Sequence, residues 1–435
     1  MKTDIQQGNS SQPPKLFAPG NTLPFILVTA LFFLWAIPNN LNDILIKQFM
    51  TSFEITRLEA ALVQFAFYLG YFCLAMPAAF LMRKYGYKTG LVTGLCLFGS
   101  GAFLFWPAAI VRSYGFFLFA LFVIASGLAF LETGSNSFIA VLGDPRTSEQ
   151  RLNLSQAFNP LGSITGVLIG TVFIFSGIEL NHQQLGTMAA SGRLNAYLES
   201  ETLRVVRPYV VLGVIVFIMA IVISRTKFPK VAEEAAPPDP ENRGRFSDLL
   251  HYPHFLQGVS AQFFYVGAQV GTWSFLIVYI QDYTHSPEKT AGYLLTGSLV
   301  AFGAGRFIAT YLMKFFRPNN LMGIFGIINV VLVAVGVIFP GWLGVWALFL
   351  TSFFMSLMFP TIFALGIKKL GPNTKLGGSI IIMAIIGGAI APLGMGWVYK
   401  VDHSMAAAMI IPLICYAIVT HYAYIGSRVR TPQTA

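Results

Sequence analysis

The chain has 435 residues, of which 55% are hydrophobic and 11% are charged, and its formal net charge is +10. Ordinary soluble domains carry about 25% charged residues, so a soluble globule of this composition would lack polar surface. The basic residues lie in short loops between apolar runs, which indicates a role in membrane topology and excludes a nucleic-acid partner.

Twelve apolar runs are predicted to cross the membrane as helices. A helix needs about 20 residues to span a hydrocarbon core of about 30 Å, and the runs approach that length. Numbered in chain order, the predicted spans 1 to 12 are 22–46, 58–82, 89–110, 114–142, 152–178, 208–225, 253–281, 290–314, 320–340, 342–367, 376–399 and 405–427. The predicted fold class is an all-α membrane protein of two six-helix bundles.

A proline-rich segment divides these spans six plus six. Residues 226–252 contain four prolines among mixed charges, as is typical of a linker. The predicted organisation is an N-terminal tail, a six-helix bundle, a cytoplasmic linker, a second six-helix bundle and a C-terminal tail, over residues 1–21, 22–225, 226–252, 253–427 and 428–435. Placing both termini in the cytoplasm puts 19 of the 28 Lys and Arg residues on that side and eight on the other, with Arg306 inside a span. Both termini are therefore expected to be cytoplasmic.

Several motifs are absent from the sequence. It has no Gly-x-x-x-x-Gly-Lys-Ser/Thr loop and no His-Glu-x-x-His helix, so neither an ATP-driven pump nor an enzyme is expected, and no cofactor is predicted. Cys73, Cys96 and Cys415 lie in apolar runs without metal-ligand spacing and are interpreted as small hydrophobic residues. Residues 1–21 are polar and lack the features of a removable signal peptide, so span 1 is expected to be retained.

Span 1 carries the polar cluster Asn39-Asn40-Leu41-Asn42-Asp43 near its end. An ionisable group at membrane depth costs a few kcal/mol unless it is paired or faces water, which makes Asp43 a candidate functional carboxylate. Asn39 and Asn40 precede it by four and three residues and share its helical face, and amides beside a carboxylate suit the hydroxyl groups of a sugar. The alternative is that span 1 ends near Asn39 and that Asp43 caps the following loop.

Glu132 lies well inside span 4. Burial favours the neutral, protonated carboxyl, so that Glu132 is able to take up and release a proton near physiological pH, as a proton-coupled carrier requires. The alternative is a helix-packing hydrogen bond beside small residues that let spans approach closely.

Further candidate sugar contacts lie on spans 5, 7 and 10. Gln156 and Asn159 are three residues apart and present amides on one helical face. Gln269 adds an amide on span 7. Sugars are commonly held by planar amides and an aromatic face, so the candidate platforms are Trp35, Trp273 and Phe359.

With these residues in view, the sequence resembles the fucose permease group, the fucose/galactose/glucose:proton symporter branch of the major facilitator superfamily. The resemblance covers nearly the whole chain. It rests on Phe33-Leu34-Trp35-Ala36, Asn39-Asn40-Leu41-Asn42-Asp43-Ile44-Leu45, Ala66-Phe67-Tyr68, Gly70-Tyr71-Phe72, Leu131-Glu132-Thr133, Arg151-Leu152-Asn153-Leu154, Gln156-Ala157-Phe158-Asn159, Tyr265-Val266-Gly267-Ala268-Gln269, Gly305-Arg306-Phe307, Pro360-Thr361-Ile362-Phe363 and Leu365-Gly366-Ile367-Lys368.

The resemblance implies two bundles around a central cavity, alternating access, and uptake of a hexose with a cation. The family's two essential carboxylates would fall on Asp43 and Glu132, and its polar sugar contacts on Asn40, Gln156 and Asn159. The residue types and spacing in spans 1, 4 and 5 indicate the same positions.

Two departures from the family pattern bear on substrate and ion. Met358-Phe359 stand before Pro360 where the fucose transporter has Gln-Tyr, so the resemblance does not single out L-fucose. The run after Glu132 gains hydroxyl groups, and hard oxygen ligands beside a carboxylate suit sodium. The candidate sodium ligands are Thr133, Asn136 and Ser137.

We therefore expect a secondary active importer of a neutral hexose of the L-fucose, glucose or galactose type, coupled to a proton, with sodium coupling as the alternative. Glu132 is predicted to couple the ion, and Asp43 is predicted to bind sugar and to take part in coupling. The expected location is the bacterial inner membrane, as a multi-pass protein in contact with the lipid bilayer. A monomer is expected, as is usual in the superfamily.

Two other classes of protein fit the sequence less well. A drug or amphiphile exporter of the same fold would need a larger and more apolar cavity than the amide-rich faces of spans 1 and 5 offer. A non-transporting sugar sensor is disfavoured because no sizeable soluble signalling domain is attached.

Overall fold

A computed structural model describes residues 20–55, 59, 62–174, 182–229 and 246–429, except for a few side chains that include that of Asp43. Twelve helices of this described part are long and apolar enough to cross a membrane, which confirms the twelve predicted spans. No β-strand occurs within the described ranges.

Spans 1 to 4 are continuous helices. Their bounds are Thr22–Phe53, Leu62–Tyr85, Tyr87–Val111 and Tyr114–Val141. The first helix runs without a break through Asn39 and Asp43, although it contains Pro38. The alternative in which span 1 ends near Asn39 is therefore wrong.

Spans 5 and 6 are interrupted. Span 5 consists of a 3-10 turn, two helices and a π-helical turn, Pro145–Thr147, Ser148–Gln156, Asn159–Ile169 and Gly170–Ile174. Span 6 consists of Leu194–Arg204 and Val206–Arg225, after a short helix at His182–Ala190.

Span 6 therefore begins earlier than its predicted start at residue 208. Its first helix contains Glu199, Glu201 and Arg204, so hydropathy alone does not detect it. Packing explains why it forms: the Gln48 side chain of span 1 donates to the carbonyl and the carboxylate of Glu201 at 2.9 and 3.0 Å.

The second half begins with a short helix at Phe246–Leu249, followed by the continuous spans 7 to 9 at Pro253–Thr284, Glu288–Leu312 and Pro318–Ile338. The remaining spans are segmented. Span 10 comprises Trp342–Met355 and Met358–Gly366, span 11 comprises Gly371–Asn373, Thr374–Met383, Ala384–Ile386 and Gly387–Asp402, and span 12 comprises Met405–Ala408, Ile410–His421 and Tyr422–Gly426.

Proline accounts for the breaks in spans 5 and 10. Proline has no backbone N–H and is well tolerated only in the first turn of a helix, so each second helix starts just before its proline. Pro160 is the second residue of Asn159–Ile169, and Pro360 is the third residue of Met358–Gly366.

The two halves pack together at one end of the molecule. We call this end, where Val141, Arg225 and Gly366 end spans 4, 6 and 10, the linker side. There, the Thr374–Met383 helix packs against spans 2 and 4, and the Met358–Gly366 helix packs against the Ser148–Gln156 helix.

Candidate functional site

Glu132 lies nine residues before the linker-side end of span 4, about 14 Å along a helix that rises 1.5 Å per residue. The residue is 8% exposed, and the five residues that follow it are also buried. Its carboxyl neighbours the Tyr71 hydroxyl of span 2 and attracts the Arg306 guanidinium of span 8. Residues from both halves of the molecule therefore lie near the Glu132 carboxyl.

A line of side-chain amides connects Glu132 to span 5. The Asn136 side chain donates to the Glu132 carbonyl at 2.9 Å, and the Gln156 side chain donates to the Asn136 amide oxygen at 2.6 Å. All three residues are buried. Gln156 is thus held at the break of span 5 by its hydrogen bond to span 4.

Arg306 continues this line into the second half of the molecule. Its Nη1 donates to the carbonyl and to the side-chain oxygen of Gln156 at 2.6 and 3.1 Å, and its Nε donates to the Ser356 carbonyl at 2.9 Å. Only 4% of Arg306 is exposed, and its guanidinium lies 4.7 Å from the centre of the Phe302 ring. The sequence places Arg306 inside a span but does not indicate a role for it.

The next predicted amides lie on spans 1 and 5, which pack against each other. Asn39, Asn40 and Asn159 are half-buried. Asn40 donates to the Ala36 carbonyl at 2.8 Å, and Asn159 donates to the Phe32 carbonyl at 3.2 Å. Asn39 neighbours the Tyr71 hydroxyl, which in turn neighbours Glu132. Asn39 is therefore connected with Glu132 through Tyr71, while Asn40 and Asn159 bind helix backbone.

The Asp43 prediction falls on a side chain outside the described residues. Its backbone lies in the continuous helix of span 1, three and four residues after Asn40 and Asn39. Its predicted roles in sugar binding and coupling stay predictions.

The aromatic candidates differ in how much of their ring is accessible. Trp35 is 2% exposed and packs against Phe32 with ring centres 4.4 Å apart, which favours a packing role over the predicted sugar contact in this conformation. Trp273 is half-buried, and its indole N–H donates to the Ser352 hydroxyl at 3.0 Å.

The other two candidates from the second half lie on spans 10 and 7. Phe359 is 8% exposed and meets the Tyr265 ring edge-on, with ring centres 6.3 Å apart. Gln269 is half-buried on span 7, one helical turn beyond Tyr265. Both remain predicted sugar contacts.

The three candidate sodium ligands are buried on one helical face of span 4. Thr133 and Ser137 hydroxyl oxygens have no hydrogen-bond partner among the described residues. Both ends of the Asn136 amide are engaged, one by Glu132 and the other by Gln156. A cation there would have to displace the Gln156 amide, whereas a proton on Glu132 would leave it in place.

Polar contacts that sequence reasoning missed join the halves at the linker side. Lys368 forms a salt bridge with Glu149 at 2.6 Å, the Asn153 amide donates to the Thr361 hydroxyl at 3.0 Å, and the Gln150 amide donates to a carbonyl of span 8 at 3.2 Å. A single sequence carries no signal for these pairs, because their members are 160 to 219 residues apart.

Comparison with known proteins adds family information to this geometry. A model described as Major Facilitator Superfamily matches residues 25–395. The L-fucose-proton symporter of Escherichia coli strain K12 is 42% identical over 94% of each chain. The glucose/galactose transporter of Brucella abortus is 34% identical over 92% of this chain and 93% of its own.

Solved structures agree with these sequence matches. The chain matches the crystal structure of FucP, a Major Facilitator Superfamily transporter in the outward conformation, with a TM-score of 0.86 and 41% identity over 93% of this chain and 99% of that one. A structure of XylE matches with a TM-score of 0.70 at 13% identity, which supports the fold alone.

Proposed function

Because the chain belongs to the Major Facilitator Superfamily, we propose that it imports a neutral hexose together with a proton by alternating access. The observation that carries this proposal is the buried Glu132 carboxyl, which lies at the junction of the two halves beside a line of amides. The 42% identity to an L-fucose-proton symporter supports the same reaction.

The proton is proposed to act by neutralising Glu132. A carboxylate is costly to carry through a closed state from which water has been excluded, since the charged form loses its hydration. Protonation of Glu132 lowers that cost. The loaded carrier then rocks inward and releases hexose and proton on the other side.

The hexose is proposed to bind between the halves on the side opposite the linker side. Packing at the linker side supports an arrangement that is open on the other side. Amide groups from both halves would bind the sugar hydroxyls, and half-buried aromatic rings would support its apolar face. The proposed sugar contacts are Asn39, Asn40, Asp43, Gln156, Asn159, Gln269, Trp273 and Phe359.

Three further features are part of the proposal. The linker side is assigned to the cytoplasm, with both termini there, because most of the Lys and Arg residues of the chain then face the cytoplasm. The bundles are assigned to residues 22–225 and 253–427. The protein is proposed to act as a monomer in the lipid bilayer of a bacterial inner membrane.

The proposal is tested with purified protein in liposomes. Radiolabelled L-fucose, D-glucose and D-galactose are offered under an inward proton gradient, under an inward sodium gradient, and without a gradient. We expect the preferred hexose to accumulate above its external concentration only under the proton gradient. Accumulation that requires sodium would reassign Thr133 and Ser137 to a metal site, and no accumulation under either gradient would refute hexose symport.

A further inference from the structure

A cavity with a basic lining opens at the linker-side surface of the first half. It has a volume of about 390 Å³ and lies between the turn that joins spans 2 and 3, the end of span 4 and the residues that follow span 6. We call it the basic cavity, and its walls include Tyr85, Tyr87, Lys88, Phe138, Lys227 and Phe228. None of these residues belongs to the proposed hexose site.

Aromatic contacts hold the walls of the basic cavity in place. The Phe138 ring lies 5.8 Å from that of Tyr87 and 5.2 Å from that of Phe228, measured between ring centres. Phe138 and Tyr87 are buried. From the other half, the Lys375 ammonium group lies 4.5 Å from the centre of the Tyr87 ring. Because these contacts join span 3, span 4 and the chain after span 6, the cavity is part of the packed structure.

The charge at the basic cavity is positive. Lys88 and Lys227 line it, and the Lys84 ammonium group lies 5.0 Å from the centre of the Tyr85 ring, which is another wall residue. Neither residues 75–90 nor residues 220–229 contain Asp or Glu. Within the described part of the chain, Lys88 and Lys227 form no salt bridge. The cavity therefore offers two ammonium groups to an anionic ligand.

The start of span 3 adds backbone donors to the two lysines. Span 3 is 25 residues long and begins at Tyr87, and Gly86 at its N-cap has no side chain to cap it. The first N–H groups of a helix have no partner inside the helix and carry partial positive charge, which favours phosphate groups at this end. The helix start and the lysines therefore complement the same kind of ligand.

The depth of the basic cavity favours a lipid over a soluble anion. Tyr85 ends span 2, Tyr87 begins span 3, and Phe138 lies three residues, about 4.5 Å, before the end of span 4. The cavity thus lies at the level of lipid headgroups, where exposed tyrosines such as Tyr85 are enriched. Basic pockets between membrane helices are typical sites for anionic headgroups on the cytoplasmic side, to which the linker side is assigned.

We propose that the basic cavity binds the phosphate group of an anionic phospholipid in the leaflet on the linker side. Lys88 and Lys227 bind the phosphate oxygens by charge-assisted hydrogen bonds, and the start of span 3 contributes N–H donors. The aromatic walls contact the glycerol backbone of the lipid. The site is separate from the proposed hexose site, so the inference goes beyond the proposed function and does not depend on it.

Binding is measured on the full chain in detergent, without any transport. Phosphatidylglycerol is added to the purified protein, and mass spectrometry of the intact protein counts the lipid molecules that stay bound at each concentration. We expect one tightly bound phosphatidylglycerol. Phosphatidylcholine, whose headgroup has no net charge, should bind about tenfold more weakly. Equal affinity for the two lipids would overturn the proposal.

Charge-matched variants locate the tightly bound lipid. Lys88→Gln combined with Lys227→Gln removes both cations of the cavity, and the affinity for phosphatidylglycerol should fall by about tenfold to thirtyfold. The control, Lys314→Gln combined with Arg317→Gln, removes two exposed cations between spans 8 and 9 in the other half. It should lower the affinity by less than about twofold, since salt screens distant charges. Equal losses in the two double variants would show a diffuse attraction to surface charge and overturn the proposal.

Lysine footprinting of the wild-type protein tests the site even where the variants do not fold. Acetic anhydride labels lysines in lipid nanodiscs, which leave both faces of the membrane accessible. Lys88 and Lys227 should be labelled about tenfold more slowly in phosphatidylglycerol than in phosphatidylcholine, whereas the rate at Lys314 should stay the same. Equal slowing at all three lysines would overturn the assigned site. Inorganic phosphate that protects Lys88 and Lys227 as strongly in phosphatidylcholine nanodiscs would overturn the lipid assignment.

Discussion

Two buried arginines use the same chemistry in different places. Arg151 is fully buried and donates to the carbonyls of Ile139 and Ala140 at 2.6 Å each, and to the Asp144 carbonyl at 3.3 Å. It thereby caps the end of span 4 from span 5, inside one half. Arg306 caps two helix ends as well, but they lie in different halves.

The difference lies in what happens to these bonds when the halves rock. Bonds within a rigid bundle keep their length during such a movement, so the Arg151 contacts persist throughout the cycle. Bonds between bundles must break once in each cycle. Arg151 is therefore expected to affect stability, whereas Arg306 is expected to affect coupling.

The largest effect is expected when the negative charge of Glu132, which faces Arg306, is removed. Glu132→Gln is a permanent mimic of the protonated carboxyl, so coupling to the proton gradient should be lost completely. We expect no accumulation of hexose above its external concentration in liposomes, with counterflow exchange retained. Full uphill accumulation by this variant would contradict the assignment of Glu132 as the coupling carboxyl.

The next effect concerns the arginine inside one half. Arg151→Met removes one donor from each of three carbonyls, two of which keep another donor in the Ser148 and Thr147 side chains, so one carbonyl is left unsatisfied at a cost of about 1–3 kcal/mol. We expect a loss of about 1–3 kcal/mol in the free energy of unfolding, measured as a lower midpoint of thermal unfolding in detergent. The folded fraction should keep the wild-type pH profile of exchange, and a shifted profile would assign Arg151 to coupling as well.

A smaller effect is expected at the salt bridge that closes the linker side. The Lys368 side chain is 34% exposed and that of Glu149 is 3% exposed, so solvent weakens the pair. Lys368→Gln should favour linker-side opening by about 0.5–1 kcal/mol, which is a twofold to fivefold change in population.

Cysteine labelling measures that opening. Ser379 is buried at the contact between spans 11 and 2, where its hydroxyl meets the Met76 sulfur at 3.6 Å. Ser379→Cys is placed in a background whose native cysteines are replaced by alanine, and a maleimide reports its exposure. Maleimide should label Ser379→Cys twofold to fivefold faster when Lys368→Gln is added. Replacing the exposed neighbour Lys369 by Gln should leave the labelling rate unchanged. Equal rates in both variants would show that the salt bridge does not hold the linker side closed.

The smallest effect is expected at an exposed pair beside Arg151. The Arg146 guanidinium, 2.7 Å from Asp144, holds the pKa of that carboxyl below its usual range. Because the pKa is lowered in the folded state, the pair stabilises the fold at pH values above the ordinary pKa of Asp, and this contribution is lost as the pH falls through the lowered pKa. Between pH 5.5 and 8, where this contribution is fully present, Asp144→Asn should leave uptake unchanged and lower the midpoint of thermal unfolding only slightly, because the pair is exposed and the Asp144 carbonyl that Arg151 contacts remains. A loss of stability as large as that of Arg151→Met would show that the side chain supports the Arg151 contacts.

The fold was largely predictable because membrane burial imposes a strong pattern on sequence. Each span needs about 20 apolar residues, and that requirement can be counted along the chain. The helix at Leu194–Arg204 was missed because it is polar and forms against Gln48 of span 1. Such a helix depends on tertiary contact, which hydropathy does not report.

The candidate site was predictable only in its parts. Glu132 and Gln156 could be selected because carboxylates and amides are costly inside a membrane and therefore indicate a role. Their connection through Asn136 and onward to Arg306 depends on how spans 4, 5 and 8 pack. The helix breaks at Pro160 and Pro360 were indicated by the sequence, but the donor that satisfies both orphaned carbonyls was not.

The most direct test of proton-coupled hexose import is the pH of a weakly buffered medium when sugar is added to liposomes without any imposed gradient. Inward movement of hexose with a proton should make the medium more alkaline for wild-type protein, and Glu132→Gln should abolish that change while it still exchanges the same sugar. Hexose entry into wild-type liposomes without alkalinisation, or an undiminished pH change with Glu132→Gln, would contradict the account.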